Sequence, residues 1–167
     1  MTKIISLLSI FLFTYLSSCE ENKLENQESI EGTWIFKEFF LGDAIMLGCG
    51  WEAKDVRSMT LKIEKDGDQL KISGSAPVNN YFGNFDLLSF DKTTSQGKVK
   101  VGPIGSTKMA GPEPVMQCET MFLQMLQEAG DIGFSDSGEL QIGRFRTAES
   151  NPRDGGTYMV FEKAKLD

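Results

Sequence analysis

The 167-residue chain contains no histidine. That absence removes the side chain that ordinarily titrates near neutral pH, the commonest metal ligand, and every Ser-His or Cys-His nucleophile pair. Most familiar hydrolase mechanisms are thereby excluded. Basic residues are also outnumbered, 17 against 24 acids, for a net charge of −7. Such a surface repels phosphate backbones, whose binding requires clustered Lys and Arg to release counterions, so no nucleic-acid partner is expected. The apolar run that opens at Ile4 is too short to cross a bilayer as a helix. Cysteine is limited to Cys19, Cys49 and Cys118.

What is present begins with an address. Lys3 precedes the apolar run from Ile4, which closes on Leu16-Ser17-Ser18-Cys19. A basic start, a short apolar core and small residues before the cut site are the marks of a secretory leader. With cysteine at the first mature position, the pattern resembles the lipobox of bacterial lipoproteins. That resemblance implies a signal peptide over residues 1–18, lipidation of Cys19, and a membrane anchor in the cell envelope, at the outer membrane. Losing Lys3 with the leader, and no acid, takes the net charge from −7 to −8. Residues 19–31 carry five glutamates and only Leu24 and Ile30 as aliphatics, too little apolar surface to order themselves, and are expected to form a flexible tether. Acidic stretches in this position resemble export signals for the outer cell surface in some Gram-negative groups; a plain solvated spacer is the other reading, and the side of the membrane stays open. With Cys19 lipidated, Cys49 and Cys118 form an even pair in an oxidising compartment, either bonded to each other or held as two buried thiols.

Residues 32–167 are expected to form one domain, since that length supplies one sizeable core. Gly32-Thr33-Trp34-Ile35-Phe36 suits a half-buried strand. The segment from Leu41 to Arg57 is interrupted by Gly42, Gly48 and Gly50 and reads as a long loop. Met59, Leu61 and Ile63 alternate with polar residues, Asp66-Gly67-Asp68 offers turn chemistry, and Leu70 and Ile72 resume the alternation, which predicts a hairpin. Further strands are predicted over 83–90, 97–101, 132–135, 139–145 and 157–162, with Asp136-Ser137-Gly138 as a turn, giving eight in all. Pro114 can open a helix in which Val115, Cys118, Phe122, Met125 and Ala129 recur at helical spacing before Gly130. Met116, Met121 and Met125 are read as core filler, because no histidine or neighbouring thiol pair completes a copper-like ligand set. Neither a metal nor a cofactor is expected. The Asp66-Gly67-Asp68 triplet lacks the later ligands of a calcium loop.

Two segments carry a family resemblance: Ser73-Gly74 through Val78-Asn79-Asn80-Tyr81-Phe82-Gly83-Asn84-Phe85, and Ser106-Thr107-Lys108-Met109-Ala110-Gly111-Pro112. Their order and flanks resemble the META domain (HslJ-like) family, in which a strand ending in Ser-Gly leads to Gly-Cys-Asn-x-Tyr-x-Gly-x-Tyr and a later Thr-x-Met-Ala-Cys-Pro precedes an acidic helix start. Asn79, Tyr81 and Gly83 match the first motif, with Phe85 in place of its last Tyr; Thr107, Met109, Ala110 and Pro112 match the second. Both motif cysteines are replaced, by Val78 and Gly111, a joint loss expected if the two positions touch. Cys49 and Cys118 are then candidates for a relocated crosslink between the insert and the helix.

The resemblance implies a mainly β (α+β) fold: a curved, barrel-like antiparallel sheet of about eight strands with one packed amphipathic helix, closure removing exposed edges. It also implies an envelope-associated protein linked to stress or antibiotic tolerance. Most of the first motif is explained by turn geometry, Gly74 and Gly83 permitting unusual backbone conformations. Asn79, Asn80, Tyr81, Thr107 and Lys108 are the candidates for a polar binding patch between the two loops. The expected function is a lipid-anchored, non-catalytic envelope protein. The alternative is a binding module for a ligand or protein, such as an inhibitor of a cationic extracellular hydrolase, which an acidic surface would suit. An enzyme would have to use carboxylates such as Asp86, Glu113, Glu119 or Asp154, and no spacing selects a pair. Lys98, Lys100, Arg144 and Arg146 alternate along two strands, either as a wet sheet face or as an anion site.

Overall fold

The computed structural model describes residues 29–49, 56–67, 69–151 and 153–165. The expected leader, Cys19 and most of the expected tether lie outside the described residues, as do positions 50–55 of the insert and Asp68 of the first hairpin turn. In chain order the described elements are β1 (Gly32–Leu41), β2 (Ala44–Leu47), β3 (Thr60–Asp66), β4 (Gln69–Ser75), β5 (Asn80–Asp91), β6 (Gln96–Val101), β7 (Gly105–Ser106), α1 (Glu113–Gln127), β8 (Asp131–Phe134), β9 (Leu140–Phe145) and β10 (Gly156–Lys163).

Strands β1, β3, β4, β5, β6, β8, β9 and β10 pair antiparallel in that order, and β10 pairs back onto β1, so the sheet closes into an eight-stranded barrel. Closure leaves no exposed edge among these eight, and each of the eight predicted strands is one of them. The alternation in β3 sets its faces: Leu61 and Ile63 are buried while Lys62 and Glu64 are exposed. In β1 a register shift between Phe36 and Glu38 adds one residue to the strand. The added residue shifts the phase of the alternation, so Trp34, Phe36 and Phe39 all turn inward, with the Phe36 and Phe39 rings 4.5 Å apart. The Trp34 indole N–H donates to the Ile30 carbonyl at 3.0 Å, which fixes the chain two residues before the first strand.

Helix α1 packs its apolar stripe over the barrel interior. Phe122 is fully buried and meets the rings of Phe36, Tyr81 and Phe161 at 5.7, 5.6 and 6.4 Å. The buried stripe is Cys118, Glu119, Phe122 and Leu126, rotated from the predicted one: Val115 and Met125 are half-buried, and a glutamate takes a core position. The helix also ends at Gln127. Gly130 instead joins the sheet, its N–H donating to the Gly143 carbonyl and its own carbonyl accepting from Val99.

The insert expected to be a loop contains β2, a hairpin partner of β1 joined through Gly42 at a φ of +73°, and the short β7 zips beside the start of β5. Neither was visible as a period because each is four residues or shorter. Gly74 and Gly83 were expected to adopt unusual backbone angles, but neither has a positive φ. Their requirement is space. A Cβ at Gly74 would stand 2.0 Å from the Thr60 carbonyl oxygen, the same oxygen that accepts the Tyr81 hydroxyl at 2.7 Å, whereas a Cβ at Gly83 would meet the Pro103 oxygen at 3.2 Å. Gly74→Ala is therefore expected to destabilise the fold by about 3 kcal/mol or more and Gly83→Ala by about 1 kcal/mol, as overpacking does in tight interiors. Urea unfolding of the two variants checks the order; equal losses would refute the close-approach account.

Candidate functional site

The two motif segments meet where β4 turns into β5. β7 holds Gly105 and Ser106 against Phe82 and Tyr81, and this register carries the following residues alongside the turn. The Thr107 N–H donates to the Asn80 carbonyl at 3.0 Å, and the Asn80 N–H donates to the Thr107 hydroxyl at 3.1 Å. The Asn79 side chain then spans the gap. Its Oδ1 accepts from the Thr107 hydroxyl at 2.8 Å and the Met109 N–H at 2.7 Å, and its Nδ2 donates to the Met109 carbonyl at 3.2 Å.

Below this junction lies Glu119. Oε2 accepts the backbone N–H groups of Val78 and Asn79, both at 2.7 Å, and Oε1 accepts Asn79 Nδ2 at 2.6 Å. Asn79 is 2% exposed and Glu119 4%, with no cation among the described partners of the carboxylate. A charge buried without a counterion is stable only when donors replace its water, and here three do. No buried side-chain polar atom among the described residues lacks a partner.

The five residues predicted to line a patch are thus divided. Asn79 and Tyr81 are inside the fold, the Tyr81 phenol neutral, donating to Thr60, and pushed well above its usual range by burial. Thr107 is exposed, but its hydroxyl is engaged on both sides. Asn80 and Lys108 present exposed side chains. Glu119, considered in the sequence only as a candidate acid, is the residue that binds the junction together; a glutamate next to Cys118 on the helix's inward stripe was the available signal.

The other candidate carboxylates stand apart. Asp86 is exposed on β5 opposite Lys100, Glu113 at the start of α1 accepts from Gln117 at 3.2 Å, and Asp154 accepts the Gly156 N–H at 2.9 Å. No hydrogen bond among the described residues joins any two of the four. Two of the four basic residues are paired with acids: Lys98 bonds Asp131, whose other oxygen accepts the Phe145 N–H at 2.9 Å, and Arg144 lies 3.8 Å from Glu128. Lys98 and Arg146 share a cleft of about 330 Å³ that also holds Asp91 and Asp131, so it is mixed in sign.

Val78 and Gly111 do touch: a Cβ at Gly111 would lie 2.7 Å from Val78 Cγ2. The crosslink is elsewhere. Cys49, just after β2, is bonded to Cys118 on α1, with Cα atoms 5.5 Å apart and a sequence separation of 69 positions.

A family model described as META domain matches residues 31–164. A solution NMR structure of a protein from Burkholderia xenovorans is similar in fold, with a TM-score of 0.53 at 17% identity, covering 86% of this chain and 99% of that one. No curated protein sequence matches.

Two outcomes check this geometry. Glu119→Gln puts an amide against donors, whichever way it is turned, and is expected to cost about 2–3 kcal/mol, against about 1 kcal/mol for Thr107→Ala, measured by urea unfolding. Reduction of Cys49–Cys118 is expected to remove roughly 4 kcal/mol in the chain-entropy account of a loop this long, read as a fall in melting temperature; an unchanged curve with two titratable thiols would refute it.

Proposed function

The chain belongs to the META domain family, and we propose that it is a lipid-anchored, non-catalytic envelope protein that supports stress tolerance by holding a partner at the membrane. One observation carries this reading: the polar groups of the family motifs are spent on one another. Asn79, Thr107 and Glu119 bond across three segments, and Tyr81 bonds Thr60. Catalysis by these groups would require a face open to substrate, and Asn79, Glu119 and Tyr81 have none. The motifs therefore support the shape of the two loops, and the exposed Asn80 and Lys108 beside them are what a partner would meet.

A second reading is favoured by charge. With 24 acids against 17 bases, the surface suits a cationic protein, and capture of an extracellular hydrolase would depend strongly on ionic strength. A salt-independent complex speaks for the first reading.

The anchor is tested directly. Wild-type chain expressed from its own leader is expected in the membrane fraction, and Cys19→Ala in the soluble fraction, with labelled fatty acid incorporated only by the wild type. Membrane association that survives Cys19→Ala would overturn lipid anchoring. For the partner, Asn80→Ala with Lys108→Ala is expected to leave the melting temperature unchanged and to abolish cross-linked complexes recovered from whole cells.

A further inference from the structure

The expectation that the helix methionines are core filler rests on the want of a neighbouring thiol pair, and for Met121 the fold supplies that pair. Strand β2 alternates so that Ile45 and Leu47 point to solvent while Met46 turns in, and Cys49 follows three residues later. On α1, Cys118 and Met121 are one turn apart and share a face. Met46-Leu47-Gly48-Cys49 and Cys118-Glu119-Thr120-Met121 therefore face each other as two Met/Cys pairs with the same internal spacing. All four side chains line one open cleft of about 230 Å³, completed by Pro114 and Gln117.

We propose that this cleft, once its disulfide is reduced, is a binding site for a soft monovalent cation, Cu(I) by preference, held by the thiolates of Cys49 and Cys118 and the thioethers of Met46 and Met121. Thiolate and thioether sulfurs are the ligands that select Cu(I) over the harder cations, and among the described residues no carboxylate lines this cleft to favour calcium or magnesium. In the oxidised protein the two cysteine sulfurs are bonded to each other and carry no anionic charge for a metal. Opening the site takes a dithiol reductant: its two sulfurs give up two protons and two electrons and join as a disulfide, while Cys49 and Cys118 gain them and become thiols. Binding one Cu(I) by both thiolates then releases two protons, so uptake strengthens as pH rises. The site is thereby closed under oxidising conditions and opened by reduction.

The test uses the full-length chain in detergent, either oxidised or reduced with a dithiol and desalted without air, titrated with Cu(I) against the chromogenic chelator bicinchoninate. The reduced chain is expected to take one Cu(I) with at least 100-fold higher affinity than the oxidised chain. Met46→Leu with Met121→Leu is expected to lower that affinity at least tenfold, while Met109→Leu, on a separate exposed loop, leaves it unchanged. X-ray absorption of the loaded protein is expected to show a shell of sulfur alone. Equal affinity in the two redox states, indifference to the Met46 and Met121 changes, or a nitrogen or oxygen shell would each overturn the proposal. The methionine variants decide the matter even if replacing the cysteines prevents folding.

Discussion

The fold depends on a buried carboxylate that has no counterion among the described residues. Glu119 sits on the inward face of a helix, where an unpaired charge would be prohibitively costly, and the cost is offset by two backbone N–H groups from the β4–β5 turn and one amide N–H from Asn79. Those donors are available only if the turn is held open in one shape. That shape in turn requires Asn79 to be gripped by Thr107 and Met109. Helix, turn and the loop after β7 are thus mutually conditional: each satisfies polar groups that the other two leave exposed to a dry interior. Hydrophobic packing alone would tolerate several helix orientations over the barrel, because Phe122 among Phe36, Tyr81 and Phe161 is held by area more than by direction. The carboxylate selects one.

This accounts for why the barrel was legible in the sequence and its closing helix less so. Strand alternation is a short-range property with a period of two, and Leu61/Ile63 or Leu140/Ile142 announce it without reference to any other segment. Eight strands in antiparallel succession then have few ways to bury their faces. The helix stripe lies a fraction of a turn from the one its apolar residues predict, because Glu119 belongs on the inward face for reasons of hydrogen bonding. Strands β2 and β7 carry no periodic signal because two to four residues cannot establish a period; they exist through register with β1 and β5.

The candidate site was legible in its residues and not in its roles. Asn79, Thr107 and Tyr81 were marked by motif, and a polar residue in a glycine-rich loop is equally consistent with an outward or an inward side chain. Only the pairing of β7 with β5 decides, since it places Thr107 beside Asn80 and so turns Asn79 toward Glu119. The substituted motif cysteines were more informative, because two losses at once imply a contact, and Val78 does abut Gly111. There the isopropyl group takes space that a crosslink would otherwise span.

Moving the crosslink changes what it restrains. A bond between positions 78 and 111 would tie two loops that Asn79 already joins by three hydrogen bonds to the 107–109 segment, and would add little order. The bond between Cys49 and Cys118 ties the insert, whose β2 pairs with β1 and whose turn at Gly42 bonds Gly155 and Gly156 beside β10, to the same helical turn that carries Glu119. Adjacent residues of one turn therefore face different tasks: Glu119 fixes the helix to the motif loops, and Cys118 fixes the insert to the helix. Reduction releases the second restraint and leaves the first intact.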